Sequence, residues 1–213
     1  MSHLEKIIRF INQTCMTYNI DDSHDLRHSL EVLGWSEQLT KNSSRNISPK
    51  ESQIIHLSCL LHDMCDKKYM DEQMGLERIK NFLMGELEVE YDILEAVVFI
   101  ISTMSYSKVI KIGYPDFNNK YDNIDLEYCY HVVRNSDLLC SYDPERCINY
   151  QIRCGGSRVD GIKKMLELFD NRILILIANN YINLEEAKPY AIELHNKALT
   201  EVEKYKLEYS ILE

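Results

Sequence analysis

Ser48-Pro49-Lys50-Glu51, a nearly unbroken apolar run to Leu61, and then His62-Asp63 together dictate the setting for the rest of the chain. Ser at the cap, Pro at the first helical position and Glu at the third make a strong helix start. The helix that follows carries Ile54, Ile55, Leu57, Ser58, Leu60 and Leu61. It is apolar on nearly every side, so it needs neighbours all around it and is expected to be the central helix of the fold. It ends at two strong metal ligands side by side. A carboxylate at a helix C-terminus works against the dipole, so Asp63 asks for a specific partner.

The remaining sequence supplies those neighbours as helices. Only 7 glycines and 4 prolines punctuate 213 residues, which favours long helices over many short strands. Apolar residues make up 45% of the chain, an ordinary globular level. Amphipathic spacing predicts helices over 2–17, with Ser2 and Glu5 as a capping box, and over 24–41, with His28, Val32, Trp35 and Leu39 on one stripe. Further helices are expected over 70–84, 89–105, 124–142, a short one from Pro144, 159–179, and a last one capped by Asn183 and Glu186 and running to about 209. The Gly, Pro, Asn and Asp clusters of 108–123 read as a long loop, a lid or a surface insertion. The fold class expected is all-α.

A net charge of −10 gives no electrostatic footprint for nucleic acid, and none is expected as a partner. The 7 cysteines are odd in number and contain no CxxC pair, so they read as small buried hydrophobes of a reducing compartment. The N-terminus lacks a signal-peptide pattern, and the longest apolar stretch, near Ala96–Ile101, is too short to span a bilayer. A cytoplasmic protein with no membrane association is the expectation.

Four candidate metal ligands come from three separate helices: His28, the pair His62 and Asp63, and Asp137. Imidazole with carboxylate suits Mn, Fe, Co, Ni or Zn better than calcium. Open positions on such an ion hold water, whose pKa the metal lowers, and the ion polarises a phosphoryl oxygen. Read singly, each residue has a plainer role. His28 on an apolar stripe could be a core histidine, and Asp137 could pair with Arg134, one turn earlier.

Taken in order, Ser23-His24-Asp25-Leu26-Arg27-His28, then Leu60-Leu61-His62-Asp63-Met64-Cys65-Asp66-Lys67-Lys68-Tyr69, then Asn135-Ser136-Asp137-Leu138-Leu139, resemble the HD-domain metal-dependent phosphohydrolase superfamily. The closest likeness is to its small stand-alone bacterial, plant and fungal members. The resemblance covers most of the chain and implies a single HD-domain helical bundle over 1–213, with a core of about 20–142 and C-terminal helices 144–209 packed on it. It implies metal binding by His28, His62, Asp63 and Asp137, and a divalent ion, Mn²⁺ foremost, with Mg²⁺, Co²⁺, Ni²⁺, Fe²⁺ and Zn²⁺ as others. Asp66 would orient a ligand or take a proton, Lys68 would hold phosphate, and His24, one helical turn before His28, would contact phosphate or a nearby water. The implied activity is hydrolysis of a small phosphorylated molecule, a nucleotide first, by a monomer or homodimer. Related sequences often carry His where this chain has Met104, and two carboxylates and an Arg where it has Asn135, Cys140 and Leu138. Those departures raise a second expectation, a catalytically impaired HD protein that binds nucleotide or metal in a regulatory role.

Overall fold

The structure, a computed structural model, describes residues 2–118 and 123–212. Among the described residues the regular elements are all helices, with no strand, as the sparse glycine and proline favour. The helices are α1 (His3–Tyr18), α2 (Leu26–Asn42), α3 (Pro49–Leu61), α4 (Glu72–Gly85), α5 (Tyr91–Thr103), α6 (Tyr106–Ile112), α7 (Leu126–Cys140), α8 (Pro144–Arg153), α9 (Arg158–Leu168), a π-helical turn (Phe169–Ile173) and α10 (Lys188–Leu212).

The starts of these helices follow from local chemistry. Ser2 with Glu5 and Ser48 with Glu51 form the two expected capping boxes, and Ser157 with Asp160 forms a third. Asp25 caps α2 by accepting from Arg27 N and His28 N. The helix therefore begins after His24 rather than at it. His24 lies in the preceding turn and not on the same helical face as His28, which corrects the sequence expectation.

The chain divides into two compact units, Met1–Ser136 and Asp137–Glu213. The division falls inside α7, ahead of residue 142, where sequence reading closes the core. In the first unit α3 packs against α1, α2 and α5, and α4 packs against α5. Ile54, Ile55, Leu57, Cys59, Leu60 and Leu61 of α3 are all buried, so the helix is enclosed by its neighbours as its sequence demands. In the second unit α8, α9 and α10 pack on one another around Ile148, Ile162, Met165, Ala198 and Val202.

Three segments depart from expectation. The last helix is not capped by Asn183 and Glu186; it begins at Lys188, after a turn in which Ala187 N donates to Leu184 O at 3.1 Å. The first part of the 108–123 segment is α6, closed by Gly113 at a φ of 81° that favours glycine. Residues 113–118 are irregular, and 119–122 lie outside the described residues. The single helix expected over 159–179 ends instead in the π-helical turn, where Leu174 N donates to Phe169 O at 2.9 Å, and in further turns after it. Among the described residues no single helix is long and apolar enough to cross a membrane.

Candidate metal centre

α3 runs out at Leu61, and His62 caps it in the helical region of backbone space. Met64 N donates to Leu61 O at 3.0 Å and Asp66 N to Asp63 O at 3.3 Å, so the chain continues in tight turns through Tyr69. The end of α3 thus projects His62 and Asp63 next to the first turn of α2, where Asp25 Oδ1 accepts from His28 N at 3.3 Å and fixes that turn.

The result is a buried group of His28, His62 and Asp63 whose ligand atoms all lie within 4.8 Å of one another. His28 Nε2 stands 3.4 Å from Asp63 Oδ2, and His62 Nε2 stands 3.2 Å from the same oxygen. The two imidazole centroids are 5.2 Å apart. His62 Nδ1 lies 2.9 Å from Cys59 O. A carbonyl only accepts, so Nδ1 carries the hydrogen, and in the neutral ring Nε2 carries a lone pair aimed at the carboxylate. Burial pushes the Asp63 carboxyl up, but the positive charge that the imidazoles of His62, His24 and His28 carry when protonated outweighs it and holds the group well below the usual carboxylate range.

These residues fit a divalent cation. Ligand bonds of about 2.0–2.2 Å at tetrahedral or octahedral angles put adjacent donor atoms roughly 3.0–3.5 Å apart. The two imidazole-to-carboxylate separations, 3.4 and 3.2 Å, fall in that span. Two imidazoles and one carboxylate are also the donor set of the transition metals and zinc.

His24 and Asp66 stand beside this group, forming with Asp63 a second set of possible ligand atoms within 4.8 Å of one another. Both are half-buried. Asp66 Oδ1 accepts from Lys68 N at 2.8 Å, closing a small turn, and exposed Lys68 lays its ammonium 5.0 Å from the Tyr69 ring centre. Of the expected site residues, the structure brings His28, His62 and Asp63 together and sets His24 and Asp66 next to Asp63. Asp137 is the first residue of the second unit, on α7.

Sequence reading missed the groups that orient these side chains. One is the Cys59 carbonyl behind His62. The others are Asp21 and Ser23, which bond to Tyr69 and His24. Asp21 and Tyr69 are 48 residues apart, and no local signal links them.

No family profile and no curated protein matches this sequence. Among solved structures, the chain is similar to a structural-genomics protein from Lactobacillus plantarum. The similarity covers 98% of this chain and 97% of that one, with a TM-score of 0.70 and 18% identity. The likeness is one of fold.

Proposed function

We propose that this chain is a metal-dependent phosphohydrolase of the HD type acting on a small phosphorylated molecule, with nucleotides as the first candidates. The observation that carries the reading is the buried His28–His62–Asp63 group, with both imidazole Nε2 atoms within 3.4 Å of one carboxylate oxygen. His28, His62 and Asp63 would hold the ion. A divalent ion held there supplies Lewis acidity, lowering the pKa of bound water and polarising a phosphoryl oxygen. Asp66, half-buried beside Asp63, would take a proton. Lys68, exposed on the same turn, offers its ammonium to a phosphate oxygen. The Cys59 carbonyl keeps His62 in one tautomer throughout.

The test is to assay the purified protein with Mn²⁺ against nucleoside mono- and triphosphates, with Asp63→Asn as control. Metal-dependent phosphate or pyrophosphate release that the control lacks is the expected result. No release from any of them, with bound metal confirmed, overturns the nucleotide reading.

One observation favours a second reading. Asn135, where related sequences carry a carboxylate, is fully buried and donates from Nδ2 to His131 O at 2.8 Å. Its side chain is engaged within α7 and brings no charge. A regulatory nucleotide- or metal-binding protein would show tight nucleotide binding by calorimetry without turnover.

A further inference from the structure

Asp21, Ser23, His24 and Tyr69 form a hydrogen-bonded cluster in the first unit whose hydrogens can be assigned one by one. Asp21 Oδ1 accepts from Ser23 N at 2.9 Å and from Ser23 Oγ, and Asp21 Oδ2 accepts from Tyr69 OH at 2.5 Å. Burial pushes the Asp21 carboxyl up, but the nearby His24 imidazole and the hydrogen bonds from Ser23 and Tyr69 win and hold it well below the usual range. An ionised carboxylate has no hydrogen to give, so the hydroxyl hydrogens of Ser23 and Tyr69 both point at it. Their oxygens then offer lone pairs to His24 Nδ1, which lies 2.5 Å from Ser23 Oγ, 3.1 Å from Tyr69 OH and 4.0 Å from Asp21 Oδ1. A ring nitrogen facing three such oxygens is the one that carries the hydrogen. In the neutral imidazole, Nε2 keeps the lone pair.

We propose that Asp21, Ser23 and Tyr69 are positioning residues that lock His24 as its Nδ1–H tautomer and so make Nε2 a hydrogen-bond acceptor. Tyr69 closes the turn that carries Asp66 and Lys68, with Tyr69 N donating to Asp66 O at 3.0 Å. The cluster therefore ties that turn to the one before α2. Where the phosphohydrolase reading holds, on which this consequence rests, His24 is not a phosphate clamp. It accepts the O–H of a water or of a substrate hydroxyl.

The test reads the tautomer and needs neither metal nor substrate. Long-range ¹H–¹⁵N spectra of the full chain with ¹⁵N-histidine are recorded at about pH 8.5, well above the ordinary imidazole pKa. The signal absent in His24→Gln assigns the residue. The expected wild-type pattern is a protonated Nδ1 and a bare Nε2. Tyr69→Phe keeps that pattern, because Ser23 and Asp21 remain. Asp21→Asn moves the population toward Nε2–H, because its amide donates to one hydroxyl, whose own hydrogen then turns to Nδ1. Wild-type His24 protonated at Nε2 overturns the proposal, and so does an Asp21→Asn protein that keeps the wild-type pattern. Should Asp21→Asn fail to fold, the wild-type spectrum decides alone. An inactive or metal-free protein with the expected tautomer would sink the phosphohydrolase reading and leave this one standing.

Discussion

His62 Nε2 stands 3.2 Å from a carboxylate oxygen of Asp63, and His28 Nε2 approaches the same oxygen at 3.4 Å. Two arrangements make such an encounter favourable: protonated imidazoles forming buried ion pairs, or a cation among all three atoms. They differ in what Asp63→Asn does to the metal-free protein. Removing one partner of a structural buried ion pair costs about 3–5 kcal/mol. In a cation site the substitution relieves lone-pair opposition, because an amide N–H can donate to the bare nitrogen. We therefore expect metal-free Asp63→Asn to unfold in urea at or above the wild-type midpoint. A second expectation concerns His131, whose pKa is pushed down from 6.5 to about 4 by burial and by the Arg134 guanidinium. The folded state holds fewer protons than the unfolded one between those values, so this contribution to stability is full above the unfolded pKa and is lost as pH falls toward the folded one. Urea midpoints taken across that range should fall in the wild type and fall less in His131→Gln.

At the scale of the helices, α3 and its cap organise the first unit. Glu51 is buried and accepts from Ser48 N at 2.8 Å, Asp125 N at 3.0 Å and Arg45 Nη2 at 3.3 Å. Glu51→Ala strips an acceptor from all three, and urea denaturation should show a loss of about 2–3 kcal/mol. Gly75 on α4 is needed for a different reason. A Cβ there would stand 2.7 Å from both Cα and Cβ of Cys65, in the turns after the metal centre. Gly75→Ala should cost about 1–3 kcal/mol by overpacking and should displace the turn bearing Asp66 and Lys68. Substrate turnover should then fall more than metal affinity does. The capping boxes of α1 and α3 and the all-round burial of α3 were legible in sequence because they depend on residues three or four apart. The end of α9 in a π-helical turn was not, because the residues there keep an ordinary helical spacing and only the backbone hydrogen bonds reveal the change. The short α6 was hidden by the Gly, Pro, Asn and Asp clusters that follow it in sequence. Likewise His28, His62 and Asp63 stood out as candidate ligands through the ordered segments that carry the resemblance. The Asp21–Tyr69 bond that orients His24 joins residues with no common pattern.

For the whole molecule, a net charge of −10 means that an anionic substrate needs local positive charge to approach. A divalent ion and Lys68 would both supply it. An ion bound only by the folded chain also stabilises that chain by mass action, about 2.7 kcal/mol at a hundredfold excess over Kd. Mn²⁺ should therefore raise the thermal midpoint, and a chelator should return it to the metal-free value. Neither shift is expected in Asp63→Asn. The similarity of fold to the Lactobacillus plantarum protein extends over nearly the full length of both chains, so α1 to α10 belong to a recurring all-helical architecture. What distinguishes a metal centre from a merely buried polar cluster is the ion itself. Calorimetric titration of the chelator-treated wild type and Asp63→Asn with Mn²⁺ decides the matter. Saturable binding to the wild type that Asp63→Asn weakens by a hundredfold or more, roughly the upper end of what loss of an outer-sphere partner costs, is the result predicted here. Equal binding by the two proteins, or none by the wild type, would contradict it.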